Sequence, residues 1–407
     1  MTTTPARPVE GKFLTPAIKI LLVVWGLGCL AALYRFTNGL GAATGMNDGY
    51  PWGLWIAFDV VVGTGLASGG YALALLVFVF NKGRYHPLVR PALVTSFLGY
   101  SVAGVAIVFD LGRFWNMWRI PVSVLDWNGT SVLLEVALCM MAYTGVLFLE
   151  ISPALLERWA GEGRADRAAL AKAWLPLIER ALPFVVAVGL VLPTMHQSSL
   201  GSLLLVARTK LDPLWHTALL PLLFLLTALA MGYAVVYFES IFSSAAFRRP
   251  LETKLLSRLG AFVGATIVAF VVVRFGGLMA AGRLGLTLRS GMHSFFFWGE
   301  TLLLLGAAFL FRQQSVRASA AGQLQAALLA LGGASLYRID AFLTGFNPGQ
   351  NWVYFPSLPE LLVTFGMIAT ETLAYVWLVR KYPILAGVTV PASRTAPAGA
   401  LQEGVVS

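Results

Sequence analysis

The sequence is short of charge. Asp, Glu, Lys and Arg together make up 12% of its 407 residues, about half of what a soluble domain carries. A water-soluble enzyme of this length is excluded, because too little polar surface is available to cover it. Cysteine is nearly absent: Cys29 and Cys139 both stand in apolar runs and no C-x-x-C occurs. No disulfide framework, zinc site or iron–sulfur site can be assembled from that pair, and no metal is expected. Histidine is scarce as well. His86 falls in a basic connection, and His196, His216 and His293 fall near the ends of apolar runs. No two face each other across a hydrophobic core, so no haem is expected. The nucleotide signatures G-x-x-x-x-G-K-[ST] and G-x-G-x-x-G before a helix are also missing.

What the chain has in plenty is apolar length. Hydrophobic residues make up 58% of it, which excludes disorder, and mean hydropathy is +0.76. About 20 apolar residues carry a helix across a hydrocarbon core of roughly 30 Å. Ten runs qualify: 17–37, 53–80, 91–113, 131–151, 175–193, 213–238, 259–281, 292–312, 323–343 and 358–380. The expected fold is all-α, a polytopic transmembrane bundle of about ten helices. Residues 1–16 form a polar tail, and 17–383 the membrane domain. Residues 384–407, rich in Ala, Pro, Gly and Ser, are expected to be disordered. The first run lacks a small-residue cleavage site and reads as a retained helix.

The net charge of +10 follows the loops rather than pointing to nucleic acid. Nineteen Lys and Arg fall in the N-terminus, the even-numbered connections and the C-terminus, against five in the odd-numbered loops. Positive residues stay inside, so both termini are expected in the cytoplasm. The opposite loops carry little charge and many aromatics, as in FWNMWRIPVSVLDWNGTS and TGFNPGQNWVYFPSLP. They serve either as interfacial anchors or as a docking platform.

Ionisable side chains at bilayer depth are costly and usually face a bundle interior or cavity. On this orientation, Asp59 enters with the second run, Asp110 and Arg113 leave with the third, Glu135 enters with the fourth, and His196, Gln197 and Ser198 leave with the fifth. All are expected at one level beneath the non-cytoplasmic surface. Trp55 and Trp115 add flat apolar walls. A quinone needs hydrogen-bond partners at two carbonyls and a group to exchange each proton, and His and buried carboxylates can titrate near neutrality. The plainer reading also stands: Asp110 and Arg113, three apart on one helix, neutralise each other, and His196 is an interface histidine. A second cluster, Arg274, Glu300, Arg338, Asp340 and Glu371, is expected as an ion-pair network holding four helices in register, or as a proton route.

The stretches GYPWGLWIAFDVVVGTGLASGGYALA, NKGRYHPLVRPALVTSFLGYS, DLGRFWN, SVLLEVALCM, LPTMHQSSLGSL, FNPG and YFPSLPELL resemble the NrfD/polysulfide-reductase membrane subunit family. The likeness is greatest to its nickel–iron hydrogenase branch. The resemblance implies two four-helix bundles, roughly 53–193 and 213–343, flanked by helices 17–37 and 358–380. It implies menaquinone or ubiquinone as substrate near the periplasmic face of a bacterial inner membrane. It implies a periplasmic ferredoxin-like iron–sulfur subunit and catalytic hydrogenase subunits as partners, and a proton-handling carboxylate at Glu135. A quinol-oxidising subunit of another molybdenum, sulfur or nitrogen reductase, and a secondary transporter, are the alternatives.

Overall fold

The computed structural model describes residues 6–123, 125–161 and 164–385. The expected C-terminal tail from residue 386 on lies outside the described residues. Ten helices are long and apolar enough to cross a membrane: α1 Pro16–Asn38, α2 Trp55–Val79, α3 Gly83–Asp110, α4 Val132–Gly161, α5 Ala165–Val206, α6 Leu220–Ala246, α7 Thr253–Ala280, α8 Met292–Arg312, α9 Ala320–Thr344 and α10 Leu358–Lys381. No strand occurs among the described residues, only two isolated bridges.

Local signals set several boundaries. Thr15 caps α1, its hydroxyl accepting from Ile18 N at 3.4 Å, with Pro16 in the first turn. Ser357 and Glu360 form a reciprocal capping box at the start of α10, which satisfies two donors that a helix start leaves open. The fifth helix departs furthest from the sequence reading. Instead of 175–193 it runs 42 residues, about 63 Å at 1.5 Å per residue, because its prolines at 176, 183 and 193 are accommodated without ending it.

Both ends of the membrane domain share one face. Val9 N donates to Val379 O at 3.0 Å, and Arg380 Nη1 donates to Gly11 O at 2.5 Å. The outer pair α1 and α10 meets at glycine: a Cβ on Gly28 would sit 2.6 Å from the Gly366 Cα. Backbones come this close in lipid only where side chains are absent. At the centre stand α2 and α6, the most buried of the ten. They cross at Gly232, where a Cβ would fall 2.5 Å from Ser68 O. Through α2, which also packs on α3 and α9, the earlier and later helices share one continuous apolar core.

Two irregularities shape the polar interior. Helix α2 opens with π-helical turns over Trp55–Val62, and α9 closes with one over Asp340–Thr344. Such turns release backbone carbonyls from the regular ladder and are frequent at functional positions.

Candidate functional site

The chemistry gathers in two layers beneath the face opposite the termini. The deeper one centres on the Arg338 guanidinium, which is fully buried. It donates to Val61 O on α2 at 2.6 Å, to Thr227 Oγ1 at 3.2 Å and Phe224 O at 2.8 Å on α6, and to Gln197 Oε1 on α5 at 2.8 Å. Val61 O is free to accept because α2 is π-helical there. Gln197, held by Arg338 at its oxygen, donates through Nε2 to Tyr100 OH on α3 at 3.1 Å. The Tyr100 ring in turn stands edge-on to His196, with centroids 5.5 Å apart. Five helices thus converge on one chain of donors and acceptors.

His196 ends that chain. It is fully buried, its Nδ1 lies 3.3 Å from Val136 O on α4, and its Nε2 has no partner. A buried polar atom left unsatisfied is uncommon and points to a missing ligand or a working group. Glu135, next in sequence to Val136, is half-buried and occupies the first turn of α4. Asp59, one turn into α2, is buried and accepts from Thr364 Oγ1 on α10 at 2.7 Å.

The other expected residues fall elsewhere. Asp110 is the last residue of α3, ten positions and so about 15 Å along the helix from Tyr100. Its Oδ1 has no hydrogen-bond partner. Arg113 does not share its helix: α3 stops at Asp110, and Arg113 is exposed in the loop beyond. The helical pairing expected of those two is therefore corrected. Arg35, from α1, supplies the nearby positive charge while clamping the end of α3 through Phe109 O and Leu111 O, each at 2.8 Å. Trp115 is 60% exposed, whereas Trp55 is wholly buried and donates to Glu360 O at 3.3 Å. Ser198 spends its hydroxyl on Met195 O within its own helix. The single level expected for all these groups divides because α5 continues ten residues past His196.

Glu360 organises the outer layer, and sequence reasoning missed it. Its carboxylate accepts from Gly45 N at 2.8 Å, Ser357 N at 2.9 Å and Tyr354 OH at 2.6 Å. These bonds knot the loop after α1 to the loop before α10. Burial pushes the Tyr354 phenol above its ordinary range, so it stays a donor. The S-x-x-E pattern before an apolar run was the available signal. Tyr100 and the bridging role of Arg338 were also missed, since neither spacing nor charge balance marks them.

The second cluster divides likewise. Arg274 pairs with Glu300, both buried, joining α7 to α8. Arg338 bonds to neutral oxygens instead, and Glu371 lies on α10 with Thr364, the partner of Asp59.

A polytopic helical subunit with a buried, proton-competent polar chain under one face is the class that this arrangement defines. The chain belongs to the polysulphide reductase NrfD family, which its residues 42–346 match. It is 41% identical to the probable Ni/Fe-hydrogenase 2 b-type cytochrome subunit of Escherichia coli K12, over 93% of this chain and 95% of that one. It is 26% identical to the menaquinone reductase integral membrane subunit of Nitratidesulfovibrio vulgaris, over 70% of this chain and 68% of that one. To the Hdr-like menaquinol oxidoreductase integral membrane subunit of Archaeoglobus fulgidus it is 23% identical, over 59% and 53%.

The first of these names overturns the expectation that no haem is held, since that relative is a b-type cytochrome subunit. Among the described residues, the one fully buried imidazole nitrogen without a partner is His196 Nε2. No second buried, unpartnered imidazole accompanies it among the described residues: His216 is half-buried in the connection before α6. His86 lies in the first turns of α3 on the other face. The ring of His293 is engaged at both nitrogens, by Asp212 Oδ2 at 3.6 Å and Thr344 O at 3.1 Å. A haem gripped by two helical histidines does not fit this donor set.

Proposed function

We propose that this chain is the quinone-reactive membrane subunit of a respiratory oxidoreductase complex. It passes electrons from a periplasmic nickel–iron hydrogenase, through an iron–sulfur subunit, to the quinone pool. The observation that carries this reading is the unpartnered, buried His196 Nε2 at the end of the Arg338–Gln197–Tyr100 chain. The relatives support it, one being a hydrogenase subunit and another a menaquinone reductase subunit.

Menaquinone or ubiquinone enters with its head toward this chain. Two electrons from the docked subunit and two protons convert it to quinol. With Nδ1–H donating to Val136 O, His196 Nε2 of the neutral ring is an acceptor, so it takes the hydroxyl hydrogen of the quinol form and donates to a quinone carbonyl oxygen only as the imidazolium. Glu135, half-buried and so in reach of both water and substrate, hands over a proton and is reprotonated. Asp59, Glu371 and Glu239 supply protons through the bundle: Glu371 lies two turns beyond Thr364 along α10, and Tyr375 OH, one turn further, donates to Glu239 Oε1 at 2.7 Å. Run backwards, the same groups oxidise quinol. Asp110 ends α3, and Arg113 and Trp115 are exposed in the loop beyond it.

The iron–sulfur subunit docks on the face opposite the termini, which presents Trp115, Trp118, Leu125, Val353 and Phe355 to solvent. Positive-inside bias makes that face periplasmic in a bacterial inner membrane. Replacing Glu135→Gln removes the exchangeable proton and keeps the shape. Quinone-linked turnover of the purified complex is expected to fall by about 10²-fold or more while the subunits still co-purify. Undiminished turnover overturns the assignment.

A further inference from the structure

A cavity of about 400 Å³ opens between the start of α6 and the end of α7, its wall residues Leu223 and Tyr337 standing next in sequence to Phe224 and Arg338. Leu214, Leu219, Leu223 and Leu278 give it an aliphatic side, and His216, Thr217 and Arg283 a polar one. The size and lining are those of a small-molecule pocket. Three further wall residues, Trp215, Arg274 and Tyr337, are each at least 96% buried. Each has a polar atom without a hydrogen-bond partner: Trp215 Nε1, one Arg274 Nη and Tyr337 OH. The first two of these atoms only donate, and the third can. Three unsatisfied donors, each shielded from water on a wall residue of one hollow, mark a place for an acceptor oxygen.

The charge balance decides which kind. Arg274 is already neutralised by Glu300, and its guanidinium lies 4.2 Å from the Phe297 ring centroid and 4.9 Å from that of Tyr337. The deep donors therefore carry no net charge, while Arg283, beyond the end of α7 and donating to His216 O at 2.8 Å, adds a positive charge nearer the mouth; a neutral carbonyl suits the depth better than a phosphate or carboxylate. The donors also lie deep: Arg274 is six residues before the end of α7, about 9 Å along the helix. A phospholipid would leave its headgroup at the surface and lay tails against the donors, satisfying none. A quinone entering head first brings a carbonyl to them and leaves its isoprenoid chain along the aliphatic wall.

We propose that this cavity is a second quinone-binding site, on the later helices, distinct from the one beside His196. It shares the substrate class of the proposed function and rests on that reading. Holding quinone here requires no electron transfer.

The fluorescent quinone analogue 2-heptyl-4-hydroxyquinoline N-oxide, titrated against the purified full chain, reads the stoichiometry by quenching. Two equivalents per chain are expected. Ala281→Trp at the exposed rim plugs the mouth without disturbing the core and is expected to leave one. Tyr337→Phe removes a single donor and is expected to weaken that one equivalent about three- to tenfold. Gln197→Leu is expected to affect the other equivalent only. One equivalent in the unaltered chain, insensitive to Ala281→Trp and Tyr337→Phe, overturns the second site and leaves the first standing. Loss confined to the cavity variants, with Gln197→Leu silent, supports the cavity and counts against the His196 site.

Discussion

Arg338 holds four acceptors at once, on α2, α5 and α6. A planar guanidinium reaches them because its donors fan out from one rigid group, which a compact ammonium cannot imitate. Arg338→Lys keeps the charge and strands at least one buried acceptor. It is expected to destabilise the protein by about 1–3 kcal/mol, seen as a lower midpoint in thermal unfolding in detergent. Little of this was legible in the sequence. Arg338 reads there as one of several buried charges awaiting acids, yet it settles on neutral oxygens, one freed by a π-helical turn that no periodicity reveals. His196 was legible as a polar residue of α5, but its depth was not. A proline at 193 and a run of polar residues looked like a helix end, and packing carried the helix on. That error also made the histidines look too peripheral for a haem. Asp59 and Glu135 were easier, because each follows an aromatic or Gly-rich loop by a single turn, so depth could be counted from the boundary.

At the scale of helices, most of the fold was legible because hydrocarbon leaves few choices. Every backbone group must be paired within the segment, so ten apolar runs become ten helices whatever their details. Partners of helices were harder to see. The contact of α1 with α10 spans most of the chain and depends on two glycines that resemble many others. A Cβ at Gly366 would lie 2.8 Å from the Gly28 Cα, whereas one at Gly26 meets nothing within 4 Å. Gly366→Ala therefore forces the two helices apart, at a cost of about 1–3 kcal/mol. Gly26→Ala, on the same helix as Gly28, is expected to leave the unfolding midpoint unchanged. Equal midpoints for the two variants would show that the close approach does not hold α1.

Over the whole molecule, polarity is arranged by face. One face carries both ends of the membrane domain. The other carries the knot at Glu360 and an apolar, aromatic surface. Trp115 and Trp118 are 60% and 59% exposed there, so they contribute little to folding. Trp115→Ser combined with Trp118→Ser is expected to leave the chain's own stability intact and to reduce recovery of the proposed iron–sulfur partner in affinity purification. Full recovery from the double variant would place docking elsewhere. The loop aromatics were visible in the sequence, but which of them point outward was not: Trp52 donates to Phe342 O at 2.9 Å and Trp55 is buried, while Trp115 is not.

The ten helices also differ in slack. Helix α5, about 63 Å long, exceeds any bilayer by a wide margin, so a change in membrane thickness only slides the lipid boundary along it. Helix α8 has 21 residues, about 32 Å, which just matches the hydrocarbon. Hydrophobic mismatch costs a fraction of a kcal/mol per ångström, and it falls on α8 first. That helix holds Glu300, so lipid composition reaches Arg274, on the floor of the cavity between α6 and α7, through the shortest of the ten spans.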